Sequence, residues 1–168
     1  MFSKILVANR GEIAVRIQQT LQAMNVQSVA VFSDPDRFTP HVAIANEAVH
    51  LPGTLPSETY LNVDSIIDIG VRTGCQAVHP GYGFLSENPS FAQACQKAGM
   101  VFIGPSADAM DLLGNKARAK EIAIAAGVPV VPGSLVQDSA EAERVAGSIG
   151  FPLLAKAVAG GGGWPEGR

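Results

Sequence analysis

Short apolar runs alternate with amphipathic segments through most of the chain. The runs are rich in valine, isoleucine and alanine and carry few charges, which is typical of strands that are buried on both faces. Five strands are predicted, at residues 4–9, 28–33, 47–51, 75–79 and 101–104. Because helical periodicity separates them, the pattern predicts βαβ units, and therefore an α/β fold with a parallel sheet and helices on both faces.

The predicted helices have recognisable ends. Asn62 is a typical N-cap and Gly74 a typical stop, and Asn88 followed by Pro89 predicts the start of a further helix. The apolar stripes expected to face the sheet are Ile13, Ile17, Leu21 and Met24 in the first helix, and Val63, Ile66, Ile67 and Val71 in the helix after Asn62.

The rhythm changes after Pro105. Helices are predicted at residues 106–113, 115–126 and 138–149, the last with Asp138 and Glu141 at capping-box spacing. Residues 151–157 form an apolar run that predicts one strand, and four glycines follow at residues 160–163. We therefore place a domain boundary near Gly114, so that residues 1–114 form one domain and residues 115–168 form the beginning of a second.

Composition argues against several classes of function. Apolar residues make up 47% of the 168 residues and charged residues 16%, which is typical of a globular chain with a substantial core. The net charge of −3 argues against nucleic acid and anionic membranes as partners, and no apolar run approaches the ~20 residues of a membrane span. The two cysteines are too few for a disulfide scaffold, so we expect a cytoplasmic protein. The short apolar stretch at the N-terminus ends at Arg10 and lacks the long apolar region and cleavage site of a signal peptide, so none is predicted.

Two features suit a nucleotide. The first is a strand, turn and helix followed by a strand that ends at Asp34, as in a dinucleotide fold, but the turn has only Gly11 where three glycines are needed. The second is the run of glycines at 160–163, whose backbone N–H groups can approach phosphate closely, with Lys156 on the predicted strand before it. A flexible linker with a solvent-exposed lysine is the alternative for the second feature, and the residues alone leave both open.

A loop rich in glycine and aromatic residues follows the fourth predicted strand, at residues 79–88. Open α/β sheets bind ligands at the carboxyl ends of their strands, so this loop is a candidate site. The alternative is that Tyr82 and Phe84 only plug the edge of the sheet. No metal site is predicted, because Cys75 and His79 lie roughly 13 Å apart on an extended strand.

Taken together, four segments resemble the N-terminal part of biotin carboxylase. They are NRGEIAVR at residues 9–16, HPGYGFLSEN at 79–88, FIGP at 102–105, and Lys156 with Ala157 before the glycines. The resemblance covers residues 1–163. The family occurs as a subunit of acetyl-CoA carboxylase and as a domain of pyruvate, propionyl-CoA, methylcrotonyl-CoA and urea carboxylases.

The resemblance implies an ATP-dependent ligase. ATP and bicarbonate would give carboxyphosphate, whose CO₂ passes to N1′ of biotin on a carrier protein. The implied fold is a Rossmann-like parallel sheet, the pre-ATP-grasp domain, followed by the start of an incomplete ATP-grasp domain. The implied partners are a biotin carboxyl carrier protein, a carboxyltransferase and a second copy in a homodimer, with ATP and Mg²⁺ as cofactors and biotin as the carrier-bound substrate.

The resemblance also implies roles for individual residues. These are Lys116 and Lys156 for contact with the ATP phosphates, Gly162 and Gly163 for the glycine-rich flap that closes on the nucleotide, Tyr82 and Gly83 for the loop that faces the biotin ureido ring, and Arg16 for the homodimer interface.

The last residues depart from the family pattern, which continues after the glycines with a basic residue and Gly-Met-Arg. Here Trp164, Pro165 and Glu166 follow instead. The family's Mg²⁺ ligands, adenine pocket, bicarbonate-binding residues and catalytic base would lie beyond residue 168. We therefore expect no catalytic or metal-binding residue in this chain, and no activity from it alone. Two alternatives are a truncated, non-catalytic fragment that associates with a full-length carboxylase, and a dinucleotide-binding module.

Overall fold

The computed structural model describes residues 1–114 and 116–155. The chain divides into two compact units, Met1–Met110 and Asp111–Arg168. The first unit contains five strands: β1 (Lys4–Val7), β2 (Gln27–Phe32), β3 (Glu47–His50), β4 (Ala77–His79) and β5 (Val101–Phe102). Its helices are α1 (Gly11–Ala23), α2 (Pro40–Ile44), α3 (Val63–Arg72) and α4 (Pro89–Lys97), with a short 3₁₀ turn at Asp34–Asp36.

The five strands form one sheet in the order β3-β2-β1-β4-β5, and every neighbouring pair is parallel. The predicted α/β architecture is therefore confirmed. The chain moves outward from β1 to β2 and β3, and then returns to the other side of β1 with β4 and β5. This reversal creates a switch point between β1 and β4, where the loops after the two strands separate.

The sheet separates two clusters of buried side chains, as expected when helices cover both faces. Along β1, Ile5 and Val7 belong to one cluster and Leu6 and Ala8 to the other, because successive side chains of a strand alternate. The first cluster includes the buried residues Ile13, Ala14, Ile17 and Leu21 of α1. The second includes Ile66 and Ile69 of α3 and Phe91 and Cys95 of α4.

The predicted caps are confirmed. Asn62 Oδ1 accepts a hydrogen bond from Ser65 N–H at 3.0 Å, and Asn88 Oδ1 accepts one from Phe91 N–H at 3.0 Å. Gly74, just after α3, has a φ of +71°, which glycine adopts at little cost.

Two members of the predicted apolar stripes are wrong, because Met24 is 49% exposed and Val71 is 55% exposed. Met24 is the C-cap of α1, so its side chain no longer lies on the buried face of that helix. In α3, the buried positions are Ile66, Ile69 and Gly70, at i, i+3 and i+4. A Cβ at Gly70 would lie 2.5 Å from the Met100 sulfur, so the helix approaches the core there and Val71 points away.

Three further helices follow, namely α5 (Ala107–Gly114), α6 (Lys116–Ala125) and α7 (Ser139–Ile149). Asp138 caps α7 by accepting from Glu141 N–H at 2.7 Å, while the Glu141 carboxylate accepts from Gln137 N–H at 2.9 Å. The strand predicted at residues 151–157 is wrong for residues 151–155, and residues 156–157 lie outside the described part. Among the described residues of the second unit no strand is present to pair with this segment, and Phe151 is 82% exposed.

No helix within residues 1–114 and 116–155 is both long enough and apolar enough to cross a membrane.

Candidate functional site

The candidate site lies at the switch point between β1 and β4. We name residues 8–10 the β1 loop and residues 80–86 the β4 loop. Together with the start of α1 they surround an open depression of about 410 Å³. The depression is lined by Asn9, Arg10, Gly11, Glu12, Ile13, Tyr82, Gly83 and Phe84.

Asn9 joins the two loops. Its side chain is buried, and its Nδ2 donates hydrogen bonds to the carbonyl oxygens of Pro80 at 2.7 Å and Tyr82 at 2.8 Å. Its Oδ1 accepts from the N–H of Arg10 at 2.9 Å. A Cβ at Gly81 would come within 2.7 Å of Asn9 Nδ2, so glycine is required there for space as well as for its φ of +68°.

Tyr82 closes one side of the depression. Its ring is 61% exposed, and its hydroxyl donates a short hydrogen bond to the Glu12 carboxylate on the first turn of α1. That hydrogen bond to an anionic acceptor raises the pKa of Tyr82. Gly83 follows with a φ of +67° and open space where a Cβ would be, so the conformation alone accounts for glycine here.

Arg10 forms the other side of the depression. Its guanidinium lies 5.4 Å from the centre of the Tyr60 ring and 5.7 Å from that of Phe84, and the two rings stack on each other at 5.1 Å. One guanidinium nitrogen lies 3.1 Å from a carboxylate oxygen of Asp36, in the turn after β2. Arg10 therefore connects the β2 turn to the β4 loop by an ion pair at one end and by cation–π contact at the other.

Asp36 is the centre of a partly buried hydrogen-bond network. Its Oδ2 accepts from the hydroxyls of Ser33 and Tyr60, both at 2.7 Å, and from Arg10. Burial opposes ionisation of Asp36, but these hydrogen bonds outweigh it and lower the pKa of the carboxyl. Burial, assisted by the hydrogen bond to Asp36, raises the pKa of Tyr60 to about 12.

The acidic residues after β2 already have protein partners. Asp34 accepts from His50 Nε2 at 2.6 Å and from Gly53 N–H at 3.2 Å, while Asp36 accepts the three hydrogen bonds just described. In a dinucleotide-binding fold, an acid at this place must be able to accept from a ribose hydroxyl. The engagement of both carboxylates argues against the dinucleotide alternative.

His79 is the last residue of β4, directly before the β4 loop, and Arg16 lies on α1. His79 Nδ1 accepts from Gly81 N–H at 3.1 Å, which leaves Nε2 to carry the proton of the neutral ring. Burial, with a smaller contribution from the guanidinium of Arg16, lowers the pKa of His79. Arg16 itself is exposed on α1 and forms no salt bridge with any residue that the structure describes.

The structure thus brings Tyr82 and Gly83 together with Asn9, Arg10 and Glu12. Lys116 begins α6, and its side chain lies outside the described part of the chain. The same holds for all of Lys156, Gly162 and Gly163. Among the side chains of residues 1–114 and 117–155, no three His, Cys, Asp or Glu residues lie close enough together to bind a metal ion.

No sequence pattern indicated the hydrogen-bond network of Asp36 and Tyr60. Tyr60 lies between β3 and α3 in a segment without helical or strand periodicity, so no pattern marks it as buried. The only local signal is chemical, because a buried tyrosine hydroxyl requires a hydrogen-bond partner. Asn9 carried a stronger signal, since a polar amide follows a buried strand directly.

Two family models match the chain. The model described as the N-terminal domain of biotin carboxylase matches residues 1–110. The model described as the ATP binding domain of the carbamoyl-phosphate synthase L chain matches residues 115–167.

Relatives of known identity match over nearly the whole chain but over a small part of their own length. Urea amidolyase of Saccharomyces cerevisiae is 51% identical over 97% of this chain and 9% of its own. Biotin carboxylase 1 of Bacillus subtilis is 46% identical over 97% of this chain and 37% of its own. The crystal structure of the biotin carboxylase domain dimer of Hydrogenobacter thermophilus 2-oxoglutarate carboxylase, in complex with MgADP, ADP and bicarbonate, superposes with a TM-score of 0.89. It is 48% identical and is matched over 96% of this chain and 36% of that one.

Proposed function

The chain belongs to the family of biotin carboxylase N-terminal domains through residues 1–110, and from this membership we propose that it supplies the N-terminal portion of an ATP-dependent biotin carboxylase. The proposed reaction uses ATP and bicarbonate to carboxylate biotin on a carrier protein. The observation that carries the proposal is the β4 loop, because Tyr82 and Gly83 line an open depression at the carboxyl edge of a parallel sheet.

The proposed roles follow the family pattern residue by residue. Tyr82 and Gly83 face the ureido ring of biotin, and Lys116 and Lys156 neutralise the ATP phosphates. Phosphoryl transfer is catalysed chiefly by positioning and by neutralising charge, which two lysines supply. The glycine-rich flap that closes on the nucleotide is proposed at Gly162 and Gly163. The proposed cofactor is ATP with Mg²⁺, and biotin is the proposed carrier-bound substrate.

The proposed domains are a pre-ATP-grasp domain at residues 1–114 and the start of an ATP-grasp domain at residues 115–168. The proposed partners of the chain are a biotin carboxyl carrier protein, a carboxyltransferase and a second copy of the chain. The proposed location of the protein is the cytoplasm.

A chimeric enzyme tests the proposal. Residues 1–163 replace the matching segment of Bacillus subtilis biotin carboxylase 1, and ATP hydrolysis that depends on bicarbonate and biotin is measured. We expect turnover comparable with that of the parent enzyme, and none from the 168 residues alone. A folded chimera that binds ATP but shows no biotin-dependent hydrolysis would contradict the proposal.

Two lysines on one helix give a matched pair of variants in that chimera. Lys116→Met is expected to abolish turnover, because it removes a proposed phosphate contact. Lys120→Met is expected to retain it, because Lys120 Nζ donates to the carbonyl oxygen of Gly133 at 2.7 Å and has no proposed role. Equal losses in both variants would count against the assignment of Lys116.

A second candidate function is non-catalytic association with a full-length carboxylase. It is favoured by Arg16, which matches the family's homodimer interface and lies exposed on α1. Sedimentation of this chain mixed with Bacillus subtilis biotin carboxylase 1 should show a complex that Arg16→Glu removes. Lys97→Glu, the same charge reversal on α4, should leave it intact, and a chain that stays monomeric in the mixture would exclude this candidate.

A further inference from the structure

The backbone of the β4 loop is strained at Phe84, whose φ of +43° lies in a region that residues with a Cβ rarely adopt. Gly81 and Gly83 also have positive φ values, of +68° and +67°, which glycine adopts at little cost. Within the loop itself only a few hydrogen bonds oppose this strain, such as that from Ser86 N–H to the Gly83 carbonyl oxygen at 2.9 Å. Contacts from other parts of the fold must therefore stabilise it.

Asn9 supplies two of those contacts. Its amide nitrogen donates to the carbonyl oxygens of Pro80 and Tyr82, which lie on either side of Gly81. Its oxygen is occupied by Arg10 N–H, so rotation of the amide by a half turn would break all three hydrogen bonds. The side chain is 3% exposed, so water cannot easily replace these partners.

Arg10 supports the far end of the same loop. Its guanidinium contacts the ring of Phe84, the residue with the unfavourable φ, and the ring of Tyr60 stacked beside it. The ion pair with Asp36 fixes the guanidinium over both rings. Two consecutive residues after β1 thus fix the β4 loop at both ends.

These contacts determine which polar groups the loop presents. The carbonyl oxygens of residues 80, 82, 83 and 85 each accept a hydrogen bond from the protein. The N–H groups of Tyr82, Gly83 and Phe84 have no acceptor anywhere in the part of the chain that the structure describes. The loop therefore offers donors to a ligand, and the oxygen of a ureido ring is an acceptor.

We propose that Asn9 is the positioning residue of the β4 loop, with Arg10 as its second support, and that the loop they fix offers its N–H groups to the ureido oxygen of biotin. The identity of the ligand rests on the proposed function, whereas the positioning role rests on the contacts alone.

Amide hydrogen exchange on the full ¹⁵N-labelled chain tests the positioning role. Asn9→Asp keeps the acceptor for Arg10 N–H but removes both donors and places an anion against two carbonyl oxygens. We expect exchange of the two hydrogen-bonded amides of the loop, those of Gly81 and Ser86, to accelerate by about tenfold or more, with Val29 and Val78 in the sheet unchanged. Asn46→Asp is the matched control, because only the Oδ1 of Asn46 is used, as acceptor from Ser28.

Arg10→Lys is the second variant and does not endanger folding, since the Arg10 side chain is 42% exposed. It keeps the charge beside Asp36 but loses the planar contact with Phe84, so faster exchange is expected at the amide of Ser86, whose acceptor is the Gly83 carbonyl oxygen. Unchanged loop exchange in both variants, or an increase that spreads equally through the sheet, would overturn the positioning role.

Titration with biotin and with 2-iminobiotin, whose ring lacks the carbonyl oxygen, tests the donor role. In the wild-type chain biotin should shift the amide signals of Tyr82, Gly83 and Phe84 more than 2-iminobiotin does, and Asn9→Asp should lose the difference. If Asn9→Asp responds to biotin as the wild type does, the inference is wrong although the proposed function stands. If the wild-type loop does not respond to biotin, the donor role is wrong, whereas turnover of the chimeric enzyme decides the proposed function and the exchange data decide the positioning role.

Discussion

Replacing Asp36 by alanine should destabilise the first unit by about 2–4 kcal/mol. The carboxylate is the acceptor for the hydroxyls of Ser33 and Tyr60, and both of these residues are 1% exposed. A buried donor left without an acceptor costs about 1–3 kcal/mol, so two orphaned hydroxyls account for most of the loss. The ion pair with Arg10 adds less than about 1 kcal/mol, because the Arg10 side chain is 42% exposed.

A double-mutant cycle separates the hydroxyl of Tyr60 from the rest of the network. Tyr60→Phe removes the acceptor of Ser33 N–H and should cost about 1–3 kcal/mol. In the double variant the Tyr60 hydroxyl is no longer present to be orphaned. The combined loss should therefore fall short of the sum by about 1–2 kcal/mol.

The assay is urea-induced unfolding at neutral pH, followed by circular dichroism. Asp68→Ala is the control, because Asp68 is a 70% exposed carboxylate paired with Arg72, and its loss should change the free energy of unfolding by no more than about 0.5 kcal/mol. An Asp36→Ala loss no larger than that of the control, or strictly additive single losses, would refute the network as described.

Three further predictions concern buried polar groups. Gln18 is 2% exposed and neither of its amide atoms has a partner in the described part of the chain, so Gln18→Met should raise the free energy of unfolding by about 1–2 kcal/mol; a lower urea midpoint would contradict this. Burial lowers the pKa of His41 below its usual value of 6.5. The unfolded chain therefore takes up a proton at a higher pH than the folded chain does. The stability that is present above pH 6.5 should be lost as the pH falls below this value. His79 acts in the same direction, so His41→Gln should reduce this loss without removing it, and an unchanged profile would be evidence against the assignment. In Tyr82→Phe, where Tyr60 is the remaining tyrosine, near-ultraviolet titration should give a midpoint of about 12, and a midpoint near 10 would show that the hydroxyl is solvated.

The parts of the fold that depend on local chemistry could be predicted from the sequence. The caps at Asn62 and Asn88 require only a side chain and an N–H three residues later, so their pattern is visible in the chain. The parallel sheet followed from apolar runs separated by helices. The strand expected at residues 151–157 was wrong over 151–155, because an apolar run becomes a strand only where another strand pairs with it.

The candidate site was predicted in part. The β4 loop could be identified because glycines after a buried strand indicate a turn at the ligand-binding edge of the sheet. The network around Asp36 could not, because it joins residues 24 and 26 positions apart and one of them lies in an aperiodic segment. Such contacts arise only when the sheet brings the ends of β1, β2 and β4 together.

The central claim is that the β4 loop faces biotin, and the KM for free biotin in the chimeric enzyme tests it most directly. Tyr82→Ala removes a 61% exposed ring from the depression, and Phe38→Ala removes a 94% exposed ring that does not line it. We predict that Tyr82→Ala raises the KM for biotin by about tenfold, which corresponds to about 1.4 kcal/mol, and leaves the KM for ATP unchanged, whereas Phe38→Ala changes neither. An unaltered KM for biotin in Tyr82→Ala would contradict the claim.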